Sequence, residues 1–322
     1  MHLMNITAAA RRRLLITTLA ATVFAASGCS ADPASESTDT TAGASAPTTT
    51  DPVVTTSTPP STTSAVPRPT ATVDQLVGPD GQRAHVRCVG EGDTTVVLVS
   101  GFEADSSSWA LVEPTIAEHA RVCSYDRPGT GTSDPATATT NFVTQATDLH
   151  ALLATIGEPG PYLLVGHSFG GAESVTFASL FPDEVAGIVL VDATPIAWPT
   201  QVCTANDGTD TAAMLRGFCS GMYLPTGNIE HLDALTAFAE VASIDSFGSL
   251  PMAVITAAER ALPGLGAAET ARLTGVWDDG QRDWAALSTN SHVVTVVDTS
   301  HQIEIDQPRI VIDEILGVLA ES

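Results

Sequence analysis

Lysine is absent from all 322 residues, so the 13 basic side chains are all arginine. That removes several chemistries at once: there is no P-loop lysine for a nucleotide phosphate, no Schiff base to a carbonyl or pyridoxal, and no kinase-type lysine. Positive charge is scarce altogether, with 13 basic against 37 acidic residues and a formal net charge of −24. Sequence-independent binding of nucleic acid needs cations that displace counterions, so this balance argues against it. Direct electrostatic docking on anionic lipid heads is disfavoured for the same reason. No C-x-x-C or H-E-x-x-H spacing occurs, and neither a metal nor an organic cofactor is expected. Aromatic residues make up only 5% and charged residues 16%, but 43% are hydrophobic, enough to build a sizeable core.

The N-terminus reads as an address. Arg11-Arg12-Arg13 precede an apolar run from Leu14 to Ala26, and Ala26-Ser27-Gly28-Cys29 follow. That run is far shorter than the ~20 residues a spanning helix requires. A charged start, a short apolar stretch and small residues describe a secretory signal peptide over residues 1–28. Small residues directly before a cysteine resemble a bacterial lipobox, with Ala26 where Leu is usual. The resemblance implies that Cys29 is lipidated and becomes the mature N-terminus, holding the protein on the outer face of the cell membrane. Two or three acyl chains give lasting attachment where one is marginal. A soluble secreted protein cut nearby is the alternative. Residues 30–70 contain 19 Ser or Thr, 7 Pro and 6 Ala in 41 positions, a composition that cannot build a core. Residues 29–72 therefore form a lipidated, disordered tether.

From Val73 to the C-terminus strands and helices alternate. Thr95 to Val99, Arg121 to Tyr125, Tyr162 to Val165, Gly187 to Val191, Met252 to Thr256 and His292 to Val297 read as strands. Phe142 to Ile156 and Phe169 to Leu180 read as helices, and His119 and His150 fall in helical stretches. Asp306 is placed to cap a last helix with Pro308 in its first turn. Such alternation predicts an α/β fold with a mostly parallel sheet covered on both faces. Residues 193–250 break the rhythm as an insertion between two strands.

The chemistry gathers at strand ends. Gly166-His167-Ser168-Phe169-Gly170 lies between a strand and a helix. G-x-S-x-G alone is a weak pattern; on a strand-to-helix turn it is a strong one, because flanking glycines leave room for the tight backbone of an exposed serine. The helix behind it directs free N–H groups at developing negative charge. Three more segments complete a resemblance to the α/β-hydrolase superfamily over roughly Val73 to Ser322. Ser100-Gly101-Phe102 follows a strand where relatives usually carry His-Gly. Tyr125-Asp126-Arg127-Pro128-Gly129-Thr130-Gly131-Thr132-Ser133 resembles the D-R-x-G-x-G-x-S loop of esterases and haloperoxidase-like members. Ser300 to Pro308 resembles the segment that carries the catalytic histidine.

The resemblance implies a serine hydrolase. A serine hydroxyl needs a base to take its proton, so Ser168 as nucleophile requires an imidazole within reach. His2 belongs to the signal peptide, His167 flanks the nucleophile with its side chain directed away, and His85, His231 and His292 have no motif around them. His301, just beyond a strand at the sheet's carboxyl edge, is the expected base. The backbone N–H groups of Phe102 and Phe169 would hold the oxyanion. Two strand ends offer the third member: Asp192 directly after one strand, and Glu259 after the next. Most of the family use the later position, usually as Asp in a Gly-x-x-Asp turn. Here Thr256-Ala257-Ala258-Glu259-Arg260 lacks that turn, and Asp192 is expected, with Glu259 as the alternative.

Four cysteines remain after Cys29, an even count that in an exported chain favours disulfides. Cys88 and Cys123 lie on strands that are neighbours in the family sheet, which implies one pair; Cys203 and Cys219 share the insertion and form the other, stapling a lid. Trp198, Phe218, Met222, Tyr223 and Phe247 in or near that lid suggest a pocket for an apolar acyl or alcohol group. The expected partner is thus a small-molecule or lipid-like acyl substrate. A peptidase or a haloperoxidase-like activity on the same fold remains open, as does a binding lipoprotein that has lost catalysis. Epoxide hydrolases and haloalkane dehalogenases on this fold need an Asp nucleophile, and position 168 is Ser.

Overall fold

A computed structural model describes residues 70–203, 219–220, 224–260 and 264–322. The signal segment, Cys29 and nearly all of the tether lie outside the described residues, as do Phe218, Met222 and Tyr223. The β-branched runs become eight strands: β1 (Val73–Val77), β2 (Ala84–Val89), β3 (Thr95–Val99), β4 (Arg121–Asp126), β5 (Tyr162–His167), β6 (Val185–Val191), β7 (Met252–Ala257) and β8 (Ser291–Val296). They pair in the order β1-β2-β4-β3-β5-β6-β7-β8. Every pairing from β4 to β8 is parallel, whereas β2 runs antiparallel to both β1 and β4.

Strands β3, β4, β5 and β7 are buried throughout, because helices cover both faces and each side chain must enter one core or the other. Val97, Val99, Leu164, Ile188, Leu190 and Val254 point to one side. There they meet α2 (Phe142–Ile156), α3 (Phe169–Leu180) and α4 (Ala234–Val241). Val96, Leu98, Val165, Val189, Val191 and Ile255 point to the other. That side carries a 3₁₀ turn at Ser106–Trp109, α1 (Glu113–Ile116), and two C-terminal helices. Asn141 caps α2 through Thr144 N–H in a reciprocal capping box, which explains its sharp start.

Two expectations are corrected, and one element was not foreseen. Asp306 does not cap the last helix, α7 (Pro308–Glu321), whose N-cap is Gln307. An extra turn, α6 (Ile303–Asp306), intervenes, and the Asp306 carboxylate instead accepts the Ser300 N–H at 2.8 Å. His119 lies in the turn after α1, not in a helix. An unexpected 19-residue helix, α5 (Ala267–Ala285), joins β7 to β8 on the α2 side. Its polar face, with Asp278, Asp279, Arg282 and Asp283, masks the buried stripe of Leu273, Trp277 and Trp284.

Residues 193–250 leave the sheet after β6 and return at β7. Within this excursion the described residues form a π-turn at Pro199–Cys203 and the helix α4. Disulfides join Cys203 to Cys219, and Cys88 to Cys123, which face each other directly in the β2–β4 register.

Candidate active site

Ser168 sits between β5 and α3 with φ 53° and ψ −119°, a conformation that costs a non-glycine residue about 1–3 kcal/mol and persists only where surroundings impose it. Those surroundings are backbone. Ser168 N–H donates to Val191 O at 3.1 Å, and Thr194 N–H donates to Ser168 O at 3.1 Å. The flanking glycines are required by close approach. A Cβ on Gly166 would fall 2.3 Å from Gly170 O, and one on Gly170 would fall 2.3 Å from Val99 O. The serine side chain thereby stands at the carboxyl end of the sheet, where β3, β6, β7 and β8 also deliver their following residues.

His301, five residues after β8, places Nε2 2.9 Å from Ser168 Oγ. Its Nδ1 lies 2.7 Å from Asp192 Oδ2. Asp192 follows β6 with φ 41° and is 1% exposed. Its other oxygen, Oδ1, accepts from Thr256 Oγ1 (3.1 Å), Ala257 N–H (3.2 Å), Arg260 Nη2 (2.9 Å) and Trp277 Nε1 (2.9 Å). Burial alone would raise this carboxyl's pKa, but the bond to His301, the charges of His301 and Arg260, and the Ala257 N–H together hold it below the usual range. The Trp277 ring also stands edge-on to the His301 ring at 5.2 Å and receives Arg260 over its face at 5.0 Å. Glu259, by contrast, is exposed, so the structure brings Asp192 to the imidazole.

Neither Thr194, whose hydroxyl is 3.1 Å from Ser168 Oγ, nor the Trp277–Arg260 pair was legible in the sequence. Arg260 stands next to Glu259 and reads there as an ordinary surface partner for it; in the fold it turns inward to Asp192 and Asp278.

The Ser100-Gly101-Phe102 loop abuts the nucleophile: a Cβ on Gly101 would lie 3.3 Å from Ser168 Cβ. The Phe102 ring packs on that of Phe169, the first residue of α3, with centroids 4.9 Å apart. The Ser100 hydroxyl donates to Asp105 O at 2.9 Å and closes the loop. Arg127, 4% exposed, holds the loop from beneath, donating to Ser100 O at 2.9 Å and to Gly101 O. Its own charge is met by Glu173 at 3.2 Å and by Glu230 at 2.7 Å. Glu230 comes from the insertion, and its Oε1 also accepts the Glu103 N–H at 2.5 Å. One buried carboxylate thus ties the insertion to the loop beside Ser168.

His167 is buried, and its Nε2 lies 3.0 Å from the backbone carbonyl of His301. His85 pairs with Asp74, His150 with Glu184 and His292 with Glu314, all away from Ser168. Among the described residues, Cys88, Cys123 and Glu158 present ligand atoms close together, but both sulfurs are spent in the disulfide.

A family model described as alpha/beta hydrolase fold matches residues 94–208. The chain is 36% identical over 126 residues to the dihydrolipoyllysine-residue acetyltransferase component of an acetoin cleaving system from Pseudomonas putida, covering 37% of this chain and 34% of that protein. The chain therefore spans about a third of that relative's length. Among solved structures, the epoxide hydrolase CorEH superposes with a TM-score of 0.54 at 19% identity, covering 78% of this chain and 99% of its own. A thermophilic esterase from Thermogutta terrifontis, with malate bound, gives 0.53 at 18% identity over 78% and 98%.

Proposed function

We propose that this chain, which carries the α/β-hydrolase fold, is a serine hydrolase that cleaves an ester or related acyl bond through an acyl-enzyme. The observation that carries this reading is the continuous line from Ser168 Oγ through the His301 ring to Asp192, at 2.9 and 2.7 Å. In that geometry Nε2 takes the serine proton as Oγ attacks the acyl carbon, and Asp192 fixes the tautomer that leaves Nε2 free to do so. The oxyanion that forms is held by the backbone N–H groups of Phe102 and Phe169. The imidazolium then returns its proton to the leaving group, and water repeats the cycle on the acyl-enzyme.

Serine at position 168 separates this chemistry from that of an epoxide hydrolase, whatever the overall likeness to one. The paired rings of Phe102 and Phe169, and of Trp198 and Trp277 with centroids 5.0 Å apart, support a small apolar acyl or alcohol group as substrate. An exported protein tethered through Cys29 agrees with the N-terminal pattern and with two disulfides, which persist in oxidising compartments. Membrane fractionation of Cys29→Ala, expected in the soluble exported pool, tests the tether.

The decisive experiment is labelling with a fluorophosphonate followed by mass spectrometry. The adduct is expected on Ser168, and Ser168→Ala should lose it while keeping its fold. Labelling that survives in the alanine variant would overturn the hydrolase reading in favour of a binding module. A graded panel of acyl esters then sets chain-length preference and separates an esterase from a peptidase or haloperoxidase-like enzyme.

A further inference from the structure

The least satisfied polar groups near the site belong to none of the residues given a role above. Glu304, on α6, is 0% exposed, and neither carboxyl oxygen has a hydrogen-bond partner among the described residues. His167, on β5, likewise has no hydrogen-bond partner at Nδ1. The two face each other, with Nδ1 3.5 Å from Glu304 Oε1. On its far side His167 reaches the His301 carbonyl at 3.0 Å, and the two imidazole rings lie 4.6 Å apart. Gly101 presses on the same ring: a Cβ there would fall 2.9 Å from Nδ1.

We infer that His167 and Glu304 form a hydrogen-bonded pair that carries no net charge and positions His301 from behind, through its backbone carbonyl; the role rests on the triad reading above. Two hydrogen bonds have to be made, Glu304 to Nδ1 and Nε2 to the His301 carbonyl. Two protons make both: one on the Glu304 carboxyl, donated to Nδ1, and one on Nε2, donated to the carbonyl. An ionised Glu304 beside a neutral imidazole leaves a single proton for both bonds. The ring then turns its N–H to the carboxylate, and the carbonyl that anchors His301 is released.

The surroundings favour the state with both protons. Burial, with the charges of Asp192 after β6 and Asp306 on α6 itself, pushes Glu304 up to about 8. Burial, with the proximity of His301, pushes His167 down to about 3. From the other elements packed against α6, the 3₁₀ turn at Ser106–Trp109 brings its capping Asp105, and α7 carries Arg309, Asp313, Glu314 and Glu321. Among the described residues, no arginine stands within ion-pair distance of Glu304, and the ring that does, His167, is held neutral by its own burial. A buried carboxyl without such a partner keeps its proton.

Fluorophosphonate labelling rates of wild type, Glu304→Gln and Glu304→Ala across the range from about pH 6 to about pH 10 test the pair. In wild type the rate should fall roughly tenfold above about pH 8 as the second proton is lost. In Glu304→Gln the amide N–H donates to Nδ1 at every pH, and that alkaline fall should vanish. Glu304→Ala, with no donor, should be slowed by about tenfold or more already at neutral pH. Nitrogen chemical shifts of the His167 ring supply a readout that needs no turnover: its tautomer should change above about pH 8 in wild type and stay fixed in Glu304→Gln. An alkaline limb that Glu304→Gln shares with wild type, or a His167 tautomer indifferent to pH, would overturn the inference. No labelling of wild type at any pH would instead refute the hydrolase reading and take the positioning role with it.

Discussion

Replacing Asp192 by asparagine changes one atom, and the structure dictates which way the new amide must face. Four donors converge on Oδ1: the Thr256 hydroxyl, the Ala257 N–H, Arg260 Nη2 and Trp277 Nε1, all between 2.9 and 3.2 Å. Three of the four have no acceptor function to offer an amide NH₂, and so the asparagine oxygen takes the place of Oδ1. The NH₂ is then forced into the position of Oδ2, 2.7 Å from His301 Nδ1. It can only donate there, which places the imidazole lone pair on Nδ1 and the ring proton on Nε2. Nε2 faces Ser168 Oγ at 2.9 Å, and a protonated Nε2 cannot take the serine proton. A wrong tautomer of this kind lowers kcat by about 10⁴, equivalent to ~5.4 kcal/mol at 1.36 kcal/mol per tenfold. Stability should change far less, by about 1–3 kcal/mol, since Arg260 keeps Asp278 at 3.0 Å and every hydrogen bond to the oxygen survives. Steady-state hydrolysis of an activated ester reads the first quantity, and urea unfolding followed by circular dichroism reads the second. Turnover of Asp192→Asn within tenfold of wild type would refute the reasoning, and loss of activity in Glu259→Gln would relocate the acid.

Arg127→Met leaves Glu173 and Glu230 buried without their cation; it should destabilise by about 3–5 kcal/mol in urea and slow Ser168 labelling, because Ser100 O and Gly101 O lose their anchor. Replacing both Cys203 and Cys219 by serine opens a loop with a sequence separation of 16, and the midpoint of thermal unfolding should drop by an amount equivalent to about 3 kcal/mol. Stability against pH carries a sign set by Glu304, raised from 4.5 to about 8 in the folded chain. Between those values the native state binds the proton and the unfolded state does not, so its stabilising contribution is complete below about pH 4.5 and is lost as pH rises toward 8. The slope approaches ~1.4 kcal/mol per pH unit within that window. Urea titrations at several pH values should show this slope reduced in Glu304→Gln, and an unchanged slope would contradict it.

Some of this protein was settled by short-range pattern alone. Runs such as Thr95 to Val99 can only be strands between two covered faces, and the residues that stop α2, Gly157 and Pro159, stand next to it in the chain. The same locality singles out Ser168 as a candidate, because the strand, the turn and the helix that hold it are consecutive, and His301, because it follows a strand on the same edge. Other features depend on which distant segments meet. The insertion and the loop after β4 come together in the Arg127–Glu230 pair, 103 residues apart, and nothing near either residue announces the other. Helix α5 was hidden because its polar face dilutes the apolar stripe, and with it went Trp277, a donor to Asp192. Sequence offered two acids for His301, and only the side-by-side pairing of β6 with β7 shows which of them lies against the ring. That pairing turns Asp192 inward beneath the Ala257 N–H and leaves Glu259 in solvent. His167 beside Ser168 reads as a bystander until the chain folds α6 against it. A buried carboxyl then gives the ring a partner, because a group removed from water must find its hydrogen bond in whatever the fold has brought there.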